Sequence, residues 1–348
     1  MNAAVSLEQY RPAATAAVDT ATASSAGLNA RHGRRLGYLR LSLTRGCSMR
    51  CVYCRPDFDR NPREEARLSP GELEQLVRHL VARHGLRKVR LTGGDPTVRP
   101  DLLEIIERLA RVPGIEDLAM TTNGLTLLRE ARAYAAAGLK RVNVSLDTLD
   151  PEAFANLTGS TQLERVLAGI ELARQVLSPV KLNCVVIRGQ NDADLPRLLR
   201  WSAQRGLALR LIELMPMGPL AEVWAQRYVD EAEMRRALAA EVVDYAPLVQ
   251  GSDAARRYRV TLRDGSAGEL GFITPMSCLF CAQCDRLRVG ADGAVYPCLM
   301  DRARGSLREA LRPRLDPEAV ERVLARAFAD KADQHPEAGP TTMTHIGG

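Results

Sequence analysis

The sequence predicts an α/β fold, an incomplete TIM-like barrel of six β/α units followed by an α+β extension. Between residues 39 and 217, short runs rich in β-branched residues and leucine alternate with amphipathic helical segments. Such alternation indicates a parallel sheet with right-handed crossovers. Six units are too few to close an eightfold barrel, and the alternation stops after residue 217. We therefore expect an open barrel, with functional groups at the carboxyl ends of its strands.

The barrel strands are predicted from short apolar runs that are flanked by Gly, Asn or Asp residues. They cover residues 39–44, 88–92, 117–122, 141–146, 181–188 and 209–215. Helices are predicted between them at about 70–83, 100–111, 163–176 and 194–205. The first of these has the clearest start, because Ser69 and Glu72 form a capping box around Pro70.

The extension has a different order of elements. A helix near 230–240 precedes hairpin strands at 257–262 and 269–273, a strand through Cys298, and helices near 306–311 and 317–330. We divide the chain into a disordered N-terminal extension (1–33), the partial barrel (34–217), a C-terminal region (218–335) and a flexible tail (336–348).

Composition excludes several classes of protein. The chain is 46% apolar and 26% charged, without a run of about eighteen uncharged apolar residues, so no membrane span is expected. Its first thirty residues lack the features of a secretory signal, and a transit peptide stays the alternative to disorder. A net charge of +6 without a polybasic run suits the binding of an anionic small molecule. Only 4% of residues are aromatic, which argues against a protein that binds single-stranded nucleic acid by base stacking. We expect a cytoplasmic protein that binds neither nucleic acid nor membrane.

Six of the eight cysteines fall in two groups, which indicates metal ligation. The first cysteine triplet, Cys47, Cys51 and Cys54, has the spacing C-x3-C-x2-C directly after the first strand. Three thiolates leave one iron of a 4Fe–4S cluster open, whereas structural zinc sites use four ligands. The first triplet therefore predicts a 4Fe–4S cluster with an open iron.

The second cysteine triplet, Cys281, Cys284 and Cys298, has the spacing C-x2-C-x13-C and lies in the extension. Two alternatives remain for it. It holds a second 4Fe–4S cluster with an open iron, or it joins Cys278 in a closed tetrahedral zinc site. We interpret Cys278 as a neighbour that does not ligate.

Basic residues occupy strand positions that should face the barrel interior. Arg286 and Arg288 are two residues apart on a predicted strand, so both point to one side and can grip a single polyanion. Other cations at such positions are Arg40, Lys88, Arg90, Lys181 and Arg210. For each residue a surface ion pair is an equal alternative, but a buried set of cations needs anionic partners, such as a triphosphate.

These motifs carry a resemblance to known families. The first triplet, Tyr53 before its last cysteine, and Gly93-Gly94-Asp95-Pro96 after the second strand resemble the radical S-adenosylmethionine (SAM) superfamily. The second triplet, Cys284-Asp-Arg-Leu-Arg288 and the terminal Gly-Gly are similar to the GTP 3′,8-cyclase family of molybdenum cofactor biosynthesis. The resemblance runs from about residue 34 to residue 348. Departures are Asp95 for Glu, Asp285 for Asn, Arg45-Gly46 for Asp-Arg, and Arg55 for Met.

The resemblance implies two 4Fe–4S clusters and SAM as cofactors. It implies GTP as substrate, converted to (8S)-3′,8-cyclo-7,8-dihydroguanosine 5′-triphosphate through a radical derived from SAM. It places SAM at Tyr53, Gly94, Asp95, Ser145 and Met215. It places GTP at Arg40, Arg90, Thr121, Lys181, Arg286, Leu287 and Arg288. Catalytic roles are implied for Arg286, Arg288, Gly347 and Gly348, the last two on a tail that enters the active site.

Partners follow from the same resemblance. They are the cyclic pyranopterin monophosphate synthase that acts next, an electron donor such as flavodoxin or ferredoxin, and a second copy of the chain in a homodimer. Two other functions stay open. One is another radical SAM enzyme with an auxiliary cluster, such as a peptide-modifying maturase, although these usually have more C-terminal cysteines. The other is a zinc or nucleic-acid-binding protein without enzymatic activity.

Overall fold

The computed structural model describes residues 36–54, 67–249, 253–281, 284–329, 331–332, 334–336, 343 and 346. The predicted extension at 1–33 and most of the predicted tail lie outside these residues. The strands of the described part are β1 (Tyr38–Ser42), β2 (Lys88–Thr92), β3 (Asp117–Thr122), β4 (Arg141–Ser145), β5 (Val180–Val186), β6 (Ala208–Glu213), β7 (Val242–Pro247), β8 (Arg256–Leu262), β9 (Ala267–Ile273), β10 (Arg286–Val289) and β11 (Val295–Tyr296).

Helices alternate with the first six strands and continue into the extension. They are α1 (Pro70–His84), α2 (Leu102–Ala110), α3 (Leu127–Ala136), α4 (Pro151–Thr158), α5 (Leu163–Val176), α6 (Leu195–Ala203), α7 (Trp224–Arg227), α8 (Glu231–Leu238) and α9 (Pro317–Ala329). The predicted capping box of α1 is present, with the Ser69 side chain accepting from the Glu72 N–H. None of the helices in the described ranges combines the length and the apolar character that crossing a bilayer requires.

The parallel β/α alternation predicted from the sequence is confirmed. Strands β1 to β6 are parallel and lie in sequence order within one sheet. Their predicted limits agree with the structure to within two residues at either end. Residues from β1, β4 and β6 line a common cavity, so the sheet curves around it as an open barrel does.

The extension adds strands to both edges of the barrel sheet. Strand β9 runs parallel to β6, and β10 runs parallel to β1. Strands β7, β8 and β9 form the antiparallel part, in which the predicted hairpin at 257–262 and 269–273 is confirmed. The sheet order is therefore β11-β10-β1-β2-β3-β4-β5-β6-β9-β8-β7.

Two predicted elements of the extension are wrong. The strand expected through Cys298 ends at Tyr296, because Pro297 has no N–H to donate to a sheet ladder. The helix expected at 306–311 is a single 3-10 turn, Glu309–Leu311, because Arg312 precedes Pro313 and adopts an extended conformation. Four observed helices and strands were not predicted, namely α3, α4, α7 and β7.

One hydrophobic core fills the space between the sheet and its helices. On α2 the residues with helical spacing, Leu102, Ile105, Ile106 and Leu109, are all buried. The barrel strands are buried on both faces, as expected for a parallel sheet covered by helices. This rigid scaffold positions the loops at the carboxyl ends of the strands.

Candidate active site

A cavity of about 540 Å³ opens at the carboxyl ends of the barrel strands. Both cysteine triplets line it, and so do cations from four strands. The lining cations on strands are Arg40, Arg90, Arg210, Arg286 and Arg288. The extension completes the cavity, since β10 and the loop around Cys281 form one of its walls.

The first cysteine triplet lies on the loop after β1. Cys47 Sγ accepts the backbone N–H of Met49 at 3.4 Å and the side-chain amide of Asn123 at 3.7 Å. Burial raises the pKa of Cys47 to about 11 and that of Cys54 to about 12. Thiols in such surroundings ionise when a metal binds them, and N–H groups directed at sulfur are typical of iron–sulfur ligands. The donor set therefore fits a cluster held by three thiolates.

The two glycines after β2 pack against this cysteine loop. The N–H of Gly94 donates to the Thr44 carbonyl at 2.8 Å, and a Cβ on Gly94 would lie 2.2 Å from the carbonyl oxygen of Gly46. Only glycine tolerates so close an approach of two backbones. Gly94 also lines the cavity, as the predicted SAM contact requires, and its position fixes the loop that carries Cys47.

Asp95, another predicted SAM contact, is buried, and both its carboxylate oxygens are already engaged. Oδ1 accepts the N–H of Thr97 at 2.9 Å, and Oδ2 accepts the N–H of Asn123 at 2.6 Å and the hydroxyl of Thr122 at 2.9 Å. The carboxylate thereby joins the loops after β2 and β3. Its predicted contact with SAM stays a prediction, and its observed contacts support a positioning role.

The other predicted SAM residues also line the cavity: Tyr53, Ser145 and Met215. The Tyr53 hydroxyl donates to Asp147 Oδ2 at 2.9 Å, and Asp147 Oδ1 accepts the N–H of Val185 at 2.9 Å. Burial raises the pKa of Asp147 to about 6, although both hydrogen bonds lower it. Asp147, which sequence reasoning did not single out, fixes the aromatic ring beside the first triplet.

The second cysteine triplet faces the same cavity from the extension. Cys298 Sγ accepts the N–H of Met300 at 3.5 Å, as Cys47 accepts that of Met49. Burial alone would raise the pKa of Cys284, but Arg286 and Lys331 lower it to about 7. Cys278 is exposed and is not one of the residues that line the cavity. This arrangement fits a three-thiolate cluster and supports the interpretation of Cys278 as a neighbour.

Two buried residues hold this wall of the cavity, and neither was predicted. Glu213 at the end of β6 accepts the backbone N–H groups of Met276 and Ser277, at 2.9 and 3.0 Å. Lys331 donates to the carbonyls of Arg286 and Pro297, at 2.9 and 2.6 Å. Both contacts join residues more than thirty positions apart, so no local sequence pattern indicates them.

Three arginines form a row across the floor of the cavity. Arg288 of β10 is in register with Arg40 of β1, which is in register with Arg90 of β2. Burial and the neighbouring cations lower the pKa of Arg40 and of Arg288. Adjacent buried cations repel one another, and an anion between them would relieve this repulsion. The row thus has the charge and geometry of a polyphosphate site.

Uncharged polar atoms complete the cavity wall. Thr121 Oγ1, Asn143 Oδ1 and Asn183 Oδ1 are buried and have no hydrogen-bond partner within the described ranges. All three residues line the cavity. Thr121 was predicted as a GTP contact, whereas the asparagines were missed. Asn143 lies two residues before Ser145, and Asn183 lies two residues after Lys181. Because side chains two residues apart on a strand point to the same side, the predicted positions of Ser145 and Lys181 could have indicated that both asparagines face the cavity.

Some residues that were predicted to bind GTP do not present their side chains to the cavity. The side chain of Leu287 packs in the hydrophobic core, which leaves only its backbone for GTP. Lys181 is half-buried on the same strand face as Asn183 but does not line the cavity, and Lys88 is exposed. Gly347 and Gly348 lie outside the described residues, while nearby Met343 lines the cavity.

Comparisons with known proteins agree with this architecture. Residues 41–202 match the family model of the radical SAM superfamily, and residues 207–337 match the model named Molybdenum Cofactor Synthesis C. The crystal structure of Streptococcus suis SuiB bound to S-adenosylmethionine superposes with a TM-score of 0.58 at 15% identity, covering 79% of this chain and 64% of that one. At this identity the likeness shows the fold alone.

Curated relatives are similar over most of their length. The chain is 42% identical over 306 residues to the GTP 3′,8-cyclase of Pelotomaculum thermopropionicum, which covers 87% of this chain and 93% of that protein. It is 39% identical over 308 residues to the GTP 3′,8-cyclase of Rhodopseudomonas palustris, covering 87% and 88%. The chain therefore belongs to the GTP 3′,8-cyclase family of radical SAM proteins.

Proposed function

We propose that this chain is a radical SAM GTP 3′,8-cyclase, which converts GTP to (8S)-3′,8-cyclo-7,8-dihydroguanosine 5′-triphosphate in the first step of molybdenum cofactor biosynthesis. One observation carries the proposal. Two separate cysteine triplets face a single cavity whose floor is a row of arginines. A radical cofactor, an auxiliary cluster and a polyanionic substrate can therefore meet in one space.

The residues of the first triplet, Cys47, Cys51 and Cys54, would hold the 4Fe–4S cluster that binds SAM. When bound, these cofactors supply the radical that removes a hydrogen atom from the ribose of GTP. Tyr53, Gly94, Ser145 and Met215 line the same cavity and would orient SAM. The hydrogen bond between Gly94 and Thr44 holds the loop that carries the first triplet. The protein would therefore position the cofactors and the substrate, and the cofactors would supply the radical chemistry.

At the wall that the extension forms, Cys281, Cys284 and Cys298 would hold a second 4Fe–4S cluster. The triphosphate would lie along Arg288, Arg40 and Arg90, because each guanidinium group can donate two parallel hydrogen bonds to phosphate oxygens. Arg286, which lies over the ring of Phe280 with 4.9 Å between the guanidinium carbon and the ring centroid, would join them from β10. Thr121 and Asn143 offer buried polar atoms to the nucleoside.

The tail also fits this function. Met343 packs against the small cluster of apolar residues that contains Tyr53 and Leu214, and Ile346 is buried. The chain therefore returns to the wall beside the first triplet at Met343, four residues before Gly347. We propose that Gly347 and Gly348 enter the cavity, where residues without side chains fit a narrow space.

Partners and location are part of the same proposal. A flavodoxin or ferredoxin would supply electrons, and cyclic pyranopterin monophosphate synthase would take the product. We further propose a homodimer in the cytoplasm. Crosslinking and sedimentation of the reconstituted protein test the dimer.

The decisive experiment incubates the anaerobically reconstituted protein with SAM, dithionite and GTP. Formation of 5′-deoxyadenosine and of the cyclic nucleotide only in the presence of GTP is the expected result. Arg288→Ala should weaken GTP binding while the iron content stays unchanged, and Arg302→Ala, at an exposed position, is the matched control. Turnover with a peptide and none with GTP would favour a maturase instead.

A further inference from the structure

Two histidines and a glutamate converge where the first barrel helix meets the last helix of the extension. The Nε2 atoms of His79 and His84, both on α1, lie 2.7 and 2.9 Å from the same carboxylate oxygen, Oε1 of Glu321 on α9. The two imidazole rings stand edge to face, with their centroids 6.4 Å apart. The glutamate follows the histidines in the chain by 242 and 237 residues, so only the packing of α9 against α1 brings the three together.

This three-residue cluster is largely withdrawn from solvent. The side chains of His79, His84 and Glu321 are 13%, 2% and 28% exposed. Leu80 and Leu324, one turn away on the two helices, are fully buried, so the cluster borders the hydrophobic core. Burial raises the pKa of Glu321, but its hydrogen bonds with the two histidines lower it below its usual value. The carboxylate is therefore ionised at neutral pH and available as a ligand.

The three side chains have the chemistry and the spacing of a metal site. Each offers one ligand atom, and these atoms all lie within 4.8 Å of one another. Two imidazoles and one carboxylate are a ligand set of zinc, which they bind at about 2.0–2.2 Å. Tetrahedral ligands at that distance are about 3.3 Å apart, so shifts of about half an ångström would admit the ion. Glu321 has the most exposed side chain of the three and is the one best able to move.

We propose that His79, His84 and Glu321 bind one Zn²⁺ ion, with water as the fourth ligand, and that this ion fastens α9 to α1. Each imidazole would bind through Nε2 in its neutral form. None of the three is among the residues that line the active-site cavity, so the inference is independent of the proposed function. Its structural effect would reach the second triplet, because α9 ends two residues before Lys331, which donates to the carbonyls of Arg286 and Pro297.

Equilibrium dialysis of the full chain against zinc chloride, after both clusters have been reconstituted, tests the proposal. Iron then occupies the cysteine thiolates that could also take zinc. Zn²⁺ binds nitrogen and oxygen ligands more tightly than Fe²⁺, so iron left from reconstitution does not block the site. We expect one bound zinc per chain. His79→Gln and Glu321→Gln should each raise the Kd for zinc about a hundredfold, because one of three protein ligands is lost.

Glu318→Gln is the matched control, because this glutamate lies on the same helix with 89% of its side chain exposed. It should keep the zinc affinity of the wild type. Zinc should also raise the Tm of the wild type and of Glu318→Gln, but not that of Glu321→Gln. The iron content of every variant shows whether it is folded. An unchanged Tm with zinc bound would overturn the fastening of α9 to α1.

X-ray absorption at the zinc edge of the wild type identifies the ligands without any substitution. We expect nitrogen and oxygen neighbours at about 2.0–2.1 Å, with the scattering pattern of imidazole. Sulfur neighbours at about 2.3 Å would place the zinc on cysteines and overturn the inference. Failure of the wild type to retain zinc, or an equal Kd in the wild type and the two ligand variants, would overturn it as well. Turnover of GTP is measured separately, so the proposed function stands or fails by its own experiment.

Discussion

The carboxylate of Glu213 accepts the backbone N–H of Ser277 at 3.0 Å, which joins the end of the last barrel strand to the loop before the second cysteine triplet. Its Oε2, which accepts the N–H of Ser277, also accepts the N–H of Met276 at 2.9 Å, and its Oε1 accepts the hydroxyl of Tyr228 at 3.0 Å. Glu213 is 1% exposed, so these donors replace water around the charge. The barrel and the second triplet thus share one buried carboxylate.

Replacing Glu213 with Gln should disorder the loop of the second triplet. The new amide would direct N–H donors where the backbone already supplies donors, and a buried unsatisfied N–H costs about 1–3 kcal/mol. We expect about half of the reconstituted iron to be lost, with the first cluster retained. Iron and sulfide analysis, with electron paramagnetic resonance of each cluster, measures this. Glu222→Gln, at an exposed position, should keep the full iron content.

Cys278 and Cys298 should respond differently to substitution by serine. Cys298 lines the cavity and accepts an N–H at its sulfur, whereas Cys278 is exposed. We expect Cys298→Ser to lose the second cluster, about four irons per chain, and Cys278→Ser to keep it. Mössbauer spectra of both variants give the comparison. Loss of iron from Cys278→Ser, or zinc in place of iron, would instead support the closed four-thiol site.

Asn143→Ala should weaken nucleotide binding more than it affects folding. Asn143 Oδ1 is buried without a partner among the described residues, so its removal leaves no protein donor unsatisfied, while a bound nucleoside would lose a hydrogen bond. A loss of about 1–1.5 kcal/mol corresponds to roughly a tenfold higher Kd for GTP. Titration with GTP and thermal unfolding separate the two effects. An unchanged Kd with a lowered Tm would assign Asn143 a structural role only.

The affinity for GTP should fall as the pH rises from 7 to 9. Burial, with Arg210, lowers the pKa of Lys181 to about 8. The ammonium form therefore predominates at pH 7 and the neutral amine at pH 9, so an anionic triphosphate binds more weakly at the higher pH. Binding should also take up protons near pH 8, because the nearby phosphates raise the pKa of the lysine.

Calorimetric titrations in buffers of different ionisation enthalpy measure both effects. Lys181→Arg keeps its charge over this range and should flatten the pH dependence. A wild-type Kd that is the same at pH 7 and pH 9 would show that the charge of Lys181 does not act on the triphosphate.

Much of the barrel follows from local sequence patterns, because each pattern reports a local physical requirement. The capping box at Ser69 satisfies N–H groups of its own helix, and the two-residue period of strands places Arg286 and Arg288 on one side. Cysteine spacing likewise sets how many thiolates one loop can direct at a metal. These features predicted the parallel barrel, both cysteine triplets and the arginines on strands that line the cavity.

By itself, the sequence therefore determined the strand and helix order, the two sets of thiol ligands and the excess of interior cations. Only the tertiary structure decided that β10 pairs with β1, which puts Arg288 beside Arg40 although 248 residues separate them in the chain. It also placed Asp253 near Arg210 and engaged both oxygens of Asp95 within the protein. The physical reason is that periodicity records which face of an element is buried, whereas pairing at sheet edges and contacts between distant loops depend on how the whole chain packs.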